Sequence, residues 1–126
     1  MERHLNLLGT LATLWGALAM LVGVSMLLLA AGALAELLAP VANRVDFAAS
    51  LTAAIFVIIG VFALVWGGAH IWAAVLLKRR RPAGRFLSLG LAVVNLLVLP
   101  FGTAFGAYAL WVLLRDEGRR LFEPAR

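Results

Sequence analysis

The stretch LPFGTAFGAYALWVLLRDEGRRLF, from Leu99 to Phe122, decides the fold of this chain. It places Pro100 and Gly102 inside a run that carries no charged residue from Phe86 to Leu114. Such a run crosses a membrane once as a kinked helix or forms two helices joined by a tight turn. The choice between these two structures fixes the side of the membrane on which the C-terminus lies.

The composition predicts an integral membrane protein. The chain has 126 residues, of which 64% are hydrophobic and 13% are charged, whereas soluble proteins carry about 25% charged residues. Two further windows, 5–35 and 47–77, contain His70 as their single ionisable side chain, and a helix of roughly 20 apolar residues spans the hydrocarbon core. The absence of cysteine excludes disulfides and thiolate chemistry.

The basic loop KRRRPAGR predicts the orientation of the chain in a bacterial inner membrane. It follows the second predicted helix and contains no acidic residue, so it belongs on the cytoplasmic side. Its cations are Lys78, Arg79, Arg80, Arg81 and Arg85. The net charge of +5 follows from this rule and does not indicate nucleic-acid binding. The loop is also a candidate site for anionic lipid head groups.

The N-terminal apolar stretch is predicted to be a retained membrane helix, because it is about twice as long as the apolar region of a signal peptide. The connector between the first two helices has a net charge of −1, from Glu36, Arg44 and Asp46. With Arg3 on the cytoplasmic side, this connector is expected on the outer side.

Charge and local chemistry favour the hairpin over the kinked helix. The cationic residues of the tail are Arg115, Arg119, Arg120 and Arg126, and they favour a cytoplasmic C-terminus, which requires an even number of crossings. Pro100 interrupts the helical hydrogen bonds, Gly102 accepts the positive backbone angles of a turn, and Thr103 is a candidate N-cap. The kinked helix stays open as the alternative, since membrane helices tolerate proline.

The sequence therefore predicts an all-α, multi-pass membrane helical bundle that forms a single transmembrane domain over residues 1–126. Its four transmembrane helices are expected at about 7–38, 49–77, 85–99 and 103–115, with both termini in the cytoplasm. The last two helices form a short hairpin at Pro100–Gly102.

Small residues recur every seven positions along the first two helices, which predicts where these helices pack. The repeats are Gly9, Gly16, Gly23 and Ala30, and Ala53, Gly60, Gly67 and Ala74. A seven-residue period keeps one stripe facing a partner, and small residues allow membrane helices to approach closely. We expect the two stripes to face each other within one chain, with self-association as the alternative. Gly102 and Gly106 offer a similar face on the last helix.

His70 and Asn95 are the candidate polar residues for a ligand or contact site. Intramembrane ionisable residues are candidates for function, but His70 lies near Trp66 and Trp72, where an interfacial histidine also fits. A buried amide such as Asn95 usually joins helices by hydrogen bonds. We expect structural roles for both residues.

The residues that enzymes and ion-coupled exporters need are missing from the predicted helices. There is no nucleophile–base–acid set, no carboxylate pair, no phosphate loop and no metal-ligand spacing. Glu36 and Asp46 fall in or beside the outer connector, so the carboxylate of a proton-coupled exporter is absent from the membrane core. We expect no enzymatic activity, no bound metal and no cofactor.

The last third of the chain, from the basic loop onward, resembles a group of small, uncharacterised bacterial four-helix membrane proteins. The shared pattern is a basic R-P-x-x-R loop, a central asparagine, a P-F-G-T-A-x-G-x-Y-x-L-W-V-L-L segment and a final Leu-Phe. The matching residues are Arg81, Pro82, Arg85, Asn95, Pro100 to Ala104, Gly106, Tyr108, Leu110 to Leu114, Leu121 and Phe122. Ala83-Gly84 departs from the aromatic that the group often has in the loop. The resemblance implies four helices in the inner membrane and implies no activity.

The favoured function is association in the membrane, as an accessory subunit of a complex or as a homo-oligomer. An oligomeric channel or small transporter is the alternative, with a pore lined by Thr10, Thr13, Ser25, Ser88, Asn95 and Thr103. A third interpretation is a lipid- or pigment-binding subunit that uses His70.

Overall fold

The computed structural model describes residues 1–37 and 46–122, and it is all-α over these residues. The helices are α1 (Glu2–Leu37), α2 (Asp46–Lys78), α3 (Pro82–Asn95), α4 (Phe101–Leu114) and α5 (Asp116–Arg120). The all-α prediction is thus confirmed for the described residues. Three predicted features lie outside them: the end of the first helix at Leu38, the connector cation Arg44 and the tail cation Arg126.

Two helices are long and apolar enough to cross a membrane, namely α1 over Glu2–Glu36 and α2 over Phe47–Lys78. Their most apolar windows have mean hydropathies of 2.4 and 2.6, and 11% of each window is buried. The core helix of a soluble protein would bury most of such a surface. The two helices therefore indicate a membrane location.

The chain divides into two compact units, and the first comprises Ala17–Gly68. Within it, parts of α1 and α2 run antiparallel, and a Cβ on Gly23 would lie 2.9 Å from the carbonyl oxygen of Gly60. Every described residue that is buried in this unit is a glycine or an alanine: Gly23, Ala30, Ala53, Gly60 and Gly67. The helices thus pack here by close approach of their backbones.

The second unit comprises Met1–Gly16 and Ala69–Arg126, and it contains a core of larger side chains. Its core cluster consists of Leu5, Leu8, Leu77, Ala92, Ala109, Val112, Leu113 and Phe122. The ends of α1 and α2 nearest to the basic loop pack there with α3, α4 and α5. At the start of α3, a Cβ on Gly84 would lie 2.7 Å from the backbone of Leu76, so α3 begins directly against α2.

The uncharged run forms two antiparallel helices joined by a turn over 96–100, and it is not a single kinked helix. α3 ends at Asn95, four residues before the predicted end at 99, and α4 begins at Phe101, two residues before the predicted start. The described glycines include none with a positive φ, so the predicted role of Gly102 as a left-handed turn residue is wrong.

Thr103 is not the N-cap of α4, contrary to the prediction, because the helix is already under way at that position. Pro100 occupies the N-cap position. The Thr103 hydroxyl donates instead to the carbonyl oxygen of Leu96 across the turn, at 2.9 Å. Threonine hydroxyls commonly satisfy nearby backbone carbonyls in this way, and here the bond ties the two arms of the hairpin together.

Candidate functional site

A buried polar pair, His70 on α2 and Asn95 on α3, is the centre of the candidate site. The Nδ2 atom of Asn95 lies 2.7 Å from Nε2 of His70 and 3.0 Å from the carbonyl oxygen of Leu91. His70 is 1% exposed and Asn95 is fully buried. The sequence indicated each residue separately as a candidate for a polar contact, and the structure brings the two together.

The hydrogen bonds of this pair fix the tautomer of His70. The Leu91 carbonyl oxygen can only accept a hydrogen bond, so the atom of Asn95 that faces it is the amide nitrogen. The same nitrogen is then the donor to Nε2 of His70. The geometry thus assigns to His70 the tautomer that carries its proton on Nδ1, with Nε2 accepting from Asn95.

This arrangement disfavours His70 as a ligand of a metal ion or a pigment. A histidine ligand needs a free lone pair on a ring nitrogen; here the Nε2 lone pair accepts from Asn95, and Nδ1 carries the proton. No group of three His, Cys, Asp or Glu residues that could hold a metal ion occurs within the described ranges 1–37 and 46–122. The ring also lies 6.2 Å from that of Phe105, in a tilted arrangement.

A small cavity of about 10 Å³ lies beside the pair, lined by side chains of α1, α2, α3 and α4. His70 and Ser88 are its polar residues, and its apolar wall includes Phe105. A volume of roughly 10–15 Å³ admits one water molecule, so the cavity is too small for an organic ligand. Among the described buried atoms, Ser88 Oγ and Asn95 Oδ1 have no hydrogen-bond partner. The sequence suggested Ser88 only as one of six pore-lining candidates, and no sequence signal marks it as buried.

The eight residues of the two small-residue stripes are all buried. In the unit Ala17–Gly68, a Cβ on Gly60 would lie 2.9 Å from Leu27 and 3.0 Å from the carbonyl oxygen of Gly23. In the other unit, a Cβ on Gly9 would meet Lys78 at 3.3 Å and Ala74 at 3.7 Å. In both places the stripes face each other within one chain.

Gly102 and Gly106 line the face of α4 that packs on α3. A Cβ on Gly102 would lie 2.7 Å from the carbonyl oxygen of Asn95, and one on Gly106 would lie 2.5 Å from that of Ala92. These distances are too short for any side chain larger than hydrogen. The two glycines thus allow α4 to pack closely against the end of α3, where Asn95 bonds to His70.

Two cations of the basic loop make contacts within the chain. Arg80 has a positive φ of 52° and pairs with Glu2 at 2.8 Å. The Nε atom of Arg85 donates to the carbonyl oxygen of Leu113 at 3.2 Å, which satisfies a terminal carbonyl of α4. Lys78, Arg79 and Arg81 are further members of the predicted head-group set, and all three are exposed.

An aromatic and cationic cluster near the end of α4 was not predicted. Nδ1 of His4 lies 3.1 Å from the Tyr108 hydroxyl, and the rings of His4 and Trp111 meet edge to face at 5.5 Å. The Arg115 guanidinium lies 4.7 Å from the centre of the Trp111 ring. Tyrosine and tryptophan favour membrane interfaces, and this preference is the sequence signal that could have pointed to the cluster.

Most of the hydroxyls proposed to line a pore donate to backbone carbonyls of their own segment. Thr10 donates to Asn6, Thr13 to Gly9 and Ser25 to Leu21, at distances of 2.8–3.0 Å. These are the usual bonds of hydroxyl residues within a helix. The hydroxyl protons of these three residues are therefore bound to their own helix.

Comparison with known proteins identifies no relative: no family model, curated protein or solved structure matches the chain. The membership that the C-terminal motif suggests stays a prediction.

Proposed function

We propose that this chain is a multi-pass protein of the bacterial inner membrane that acts by associating with a larger membrane complex as an accessory subunit. Its N- and C-termini lie in the cytoplasm, and its four longer helices all lie in the membrane. Anionic lipid head groups bind at the exposed cations Lys78, Arg79 and Arg81. The buried pair of His70 and Asn95 holds the helices together and is not a reaction centre.

The observation that carries the association is the difference between buried and open glycines. A Cβ on the stripe residues Gly9, Gly23 or Gly60 would meet other atoms of the chain, whereas a Cβ on Gly32, Gly68 or Gly90 would meet no atom within 4 Å. Membrane helices associate through small residues that let their backbones approach closely. Burial of apolar side chains does not drive this association, because lipid is as apolar as the side chains. Gly32 on α1 and Gly90 on α3 are exposed, and they offer such places to a helix of another protein.

The arrangement of polar groups supports association over the two alternative functions. A pore needs polar groups that face a common path, but the hydroxyls of Thr10, Thr13 and Ser25 bond to their own helix. A pigment or metal subunit needs a free histidine nitrogen, but Nε2 of His70 accepts from Asn95.

The test is to extract the protein directly from its native membrane into nanodiscs and to measure the composition and mass of the particles. We expect a stoichiometric second polypeptide. In the variants Gly32→Leu and Gly90→Leu, we expect that polypeptide to be lost while the chain stays folded, because the new side chains occupy open space.

Ala107→Leu is the matched control, since Ala107 is an exposed small residue on α4 and the change is of similar size. Particles that contain one copy of the chain alone would refute association. Particles that contain several copies and no second polypeptide would refute the accessory subunit and identify a homo-oligomer.

The orientation has an independent test. A reporter fused after Arg126 is expected to be active on the cytoplasmic side. Periplasmic activity of that fusion would contradict the proposed topology.

A further inference from the structure

We infer that the hairpin of α3 and α4 is re-entrant: it enters from the cytoplasmic side, turns inside the bilayer, and presents its tip to lipid acyl chains. The tip consists of Leu97, Val98, Leu99, Pro100 and Phe101. This inference rests on the proposed membrane location. It replaces four complete crossings by two crossings and one hairpin that returns to its side of entry.

The first argument is length. α3 and α4 each have 14 residues and are therefore about 21 Å long at 1.5 Å per residue. The hydrocarbon core is about 30 Å thick. Neither arm is long enough to cross it.

The second argument is the place at which α3 is attached to α2. Asn95 is the last residue of α3 and bonds to His70, which lies eight residues before Lys78, the last residue of α2. Eight residues of helix correspond to about 12 Å. The far end of α3 is thus fixed about 12 Å from the basic end of α2, and only the turn extends beyond it before α4 returns.

The third argument is the chemistry of the tip. Leu97, Leu99 and Phe101 are 82%, 79% and 74% exposed, respectively. Turns in water are rich in Gly, Asn, Asp and Ser, whereas these side chains are among the most apolar available. A surface of this kind fits acyl chains.

The fourth argument is that many polar backbone groups of the turn bond within the hairpin. The amide of Val98 donates to the carbonyl of Asn95, and the amide of Thr103 donates to the carbonyl of Val98. The Thr103 hydroxyl supplies the bond to the Leu96 carbonyl. Backbone groups in hydrocarbon need partners from the protein because no water is present, and this turn supplies them.

The test uses single cysteines, because the natural chain has none. Leu99→Cys probes the tip, Arg79→Cys reports the cytoplasmic loop, and Ala48→Cys reports the opposite end of α2. A membrane-impermeant maleimide is applied to spheroplasts and to inside-out vesicles. We expect Ala48→Cys to react in spheroplasts and Arg79→Cys in inside-out vesicles. Leu99→Cys is expected to react in neither and to react fully after denaturation in SDS.

A spin label on Leu99→Cys in nanodiscs gives a second measurement, since poor labelling alone could have another cause. We expect the label to collide more often with oxygen, which concentrates in hydrocarbon, than with a water-soluble nickel chelate. The label on Ala48→Cys should show the opposite preference. Reaction of Leu99→Cys in spheroplasts, or a preference of its spin label for the nickel chelate, would overturn the re-entrant hairpin.

The failure of the membrane proposal would look different. If the chain is not inserted, Arg79→Cys and Ala48→Cys react on the same side of the membrane, or in the soluble fraction without detergent. If Leu99→Cys reacts on the same side as Ala48→Cys, and Arg79→Cys reacts on the opposite side, the re-entrant topology is refuted. The membrane location is then still supported.

Discussion

Within each of the two compact units of this chain, the helices meet through a different set of buried residues. In the unit Ala17–Gly68, the described buried residues are all glycine or alanine, and the helices meet backbone to backbone. The unit of Met1–Gly16 and Ala69–Arg126 also has glycines at close helix contacts, but it buries leucines, valines and the hydrogen-bonded pair of His70 and Asn95 in addition. Two helices of one chain thus use close approach along one part of their length and side-chain packing along another.

This difference shows what each kind of packing requires. Backbone contact requires the absence of side chains, so any addition at the contact is harmful. Packing of larger side chains around a polar pair requires particular partners, so removal is harmful. The difference can be tested by substitutions that add atoms in one unit and remove them in the other.

The largest effect is expected from Gly60→Leu in the unit Ala17–Gly68. A Cβ there would lie 3.0 Å from the carbonyl oxygen of Gly23, so the helices must separate. We expect a loss of about 3 kcal/mol in the free energy of unfolding. SDS-induced unfolding in mixed micelles, followed by the fluorescence of a variant with Trp66 as its single tryptophan, measures it.

Gly32→Leu is the matched control for that variant, because a Cβ at Gly32 meets no atom within 4 Å, and we expect no loss of stability. A similar loss in both variants would show that added bulk is harmful wherever it is placed, and the proposed backbone contact would not explain it.

The second effect is expected from Asn95→Leu, which removes the hydrogen-bond donor to Nε2 of His70. A buried group without its hydrogen-bond partner costs about 1–3 kcal/mol, and polar bonds between membrane helices are worth up to about 2 kcal/mol. We expect a loss of about 2 kcal/mol, measured through Trp111 as the single tryptophan.

The double variant His70→Phe with Asn95→Leu separates the hydrogen bond from simple packing. Replacing both partners by apolar groups removes the Nδ2 donor and the Nε2 acceptor together, so we expect the double variant to recover part of the stability that Asn95→Leu loses. Additive losses in the double-mutant cycle would show that the two side chains do not act as a pair.

A smaller effect of opposite sign is expected from Ser88→Ala. The Ser88 hydroxyl is buried with no partner among the described residues, so its removal relieves a desolvation cost. We expect the same unfolding assay to show a gain of about 0.5–1 kcal/mol. A loss above about 1 kcal/mol would instead identify a water molecule held in the cavity beside Ser88.

The smallest effect is expected from Arg80→Ala, although it removes an ion pair with Glu2. The two side chains are 47% and 63% exposed, and exposed ion pairs contribute about 0–1 kcal/mol. We expect a loss of at most about 0.5 kcal/mol, with Arg79→Ala as the control for lost positive charge. A loss above 2 kcal/mol would show that the loop contributes to the core of its unit.

The sequence was sufficient for the features that depend on local or periodic signals. The break near Pro100 follows from the missing amide of proline, and the two stripes follow from a seven-residue period that the structure places at buried positions. The pairing of His70 with Asn95 could not be predicted, because it depends on the tilt and register of α3 against α2. The same is true of Ser88, whose burial depends on where α1 and α4 lie.

The role of Gly102 shows the limit of residue-based rules. A glycine two residues after Pro100 suggested a turn with positive φ, but Gly102 lies within α4. A glycine is needed there because a Cβ would lie 2.7 Å from the carbonyl oxygen of Asn95. A single sequence offers no way to separate glycine used for its backbone angles from glycine used for its size.

The uncharged tip of the hairpin also bears on how the chain is made. Insertion of α3 and α4 from the cytoplasm moves no charged side chain through the lipid, because none lies between Phe86 and Leu114. Arg85 and Arg115 lie at the two ends of that run, and both stay on the cytoplasmic side. The proposed re-entrant hairpin thus requires no charged side chain to cross the lipid.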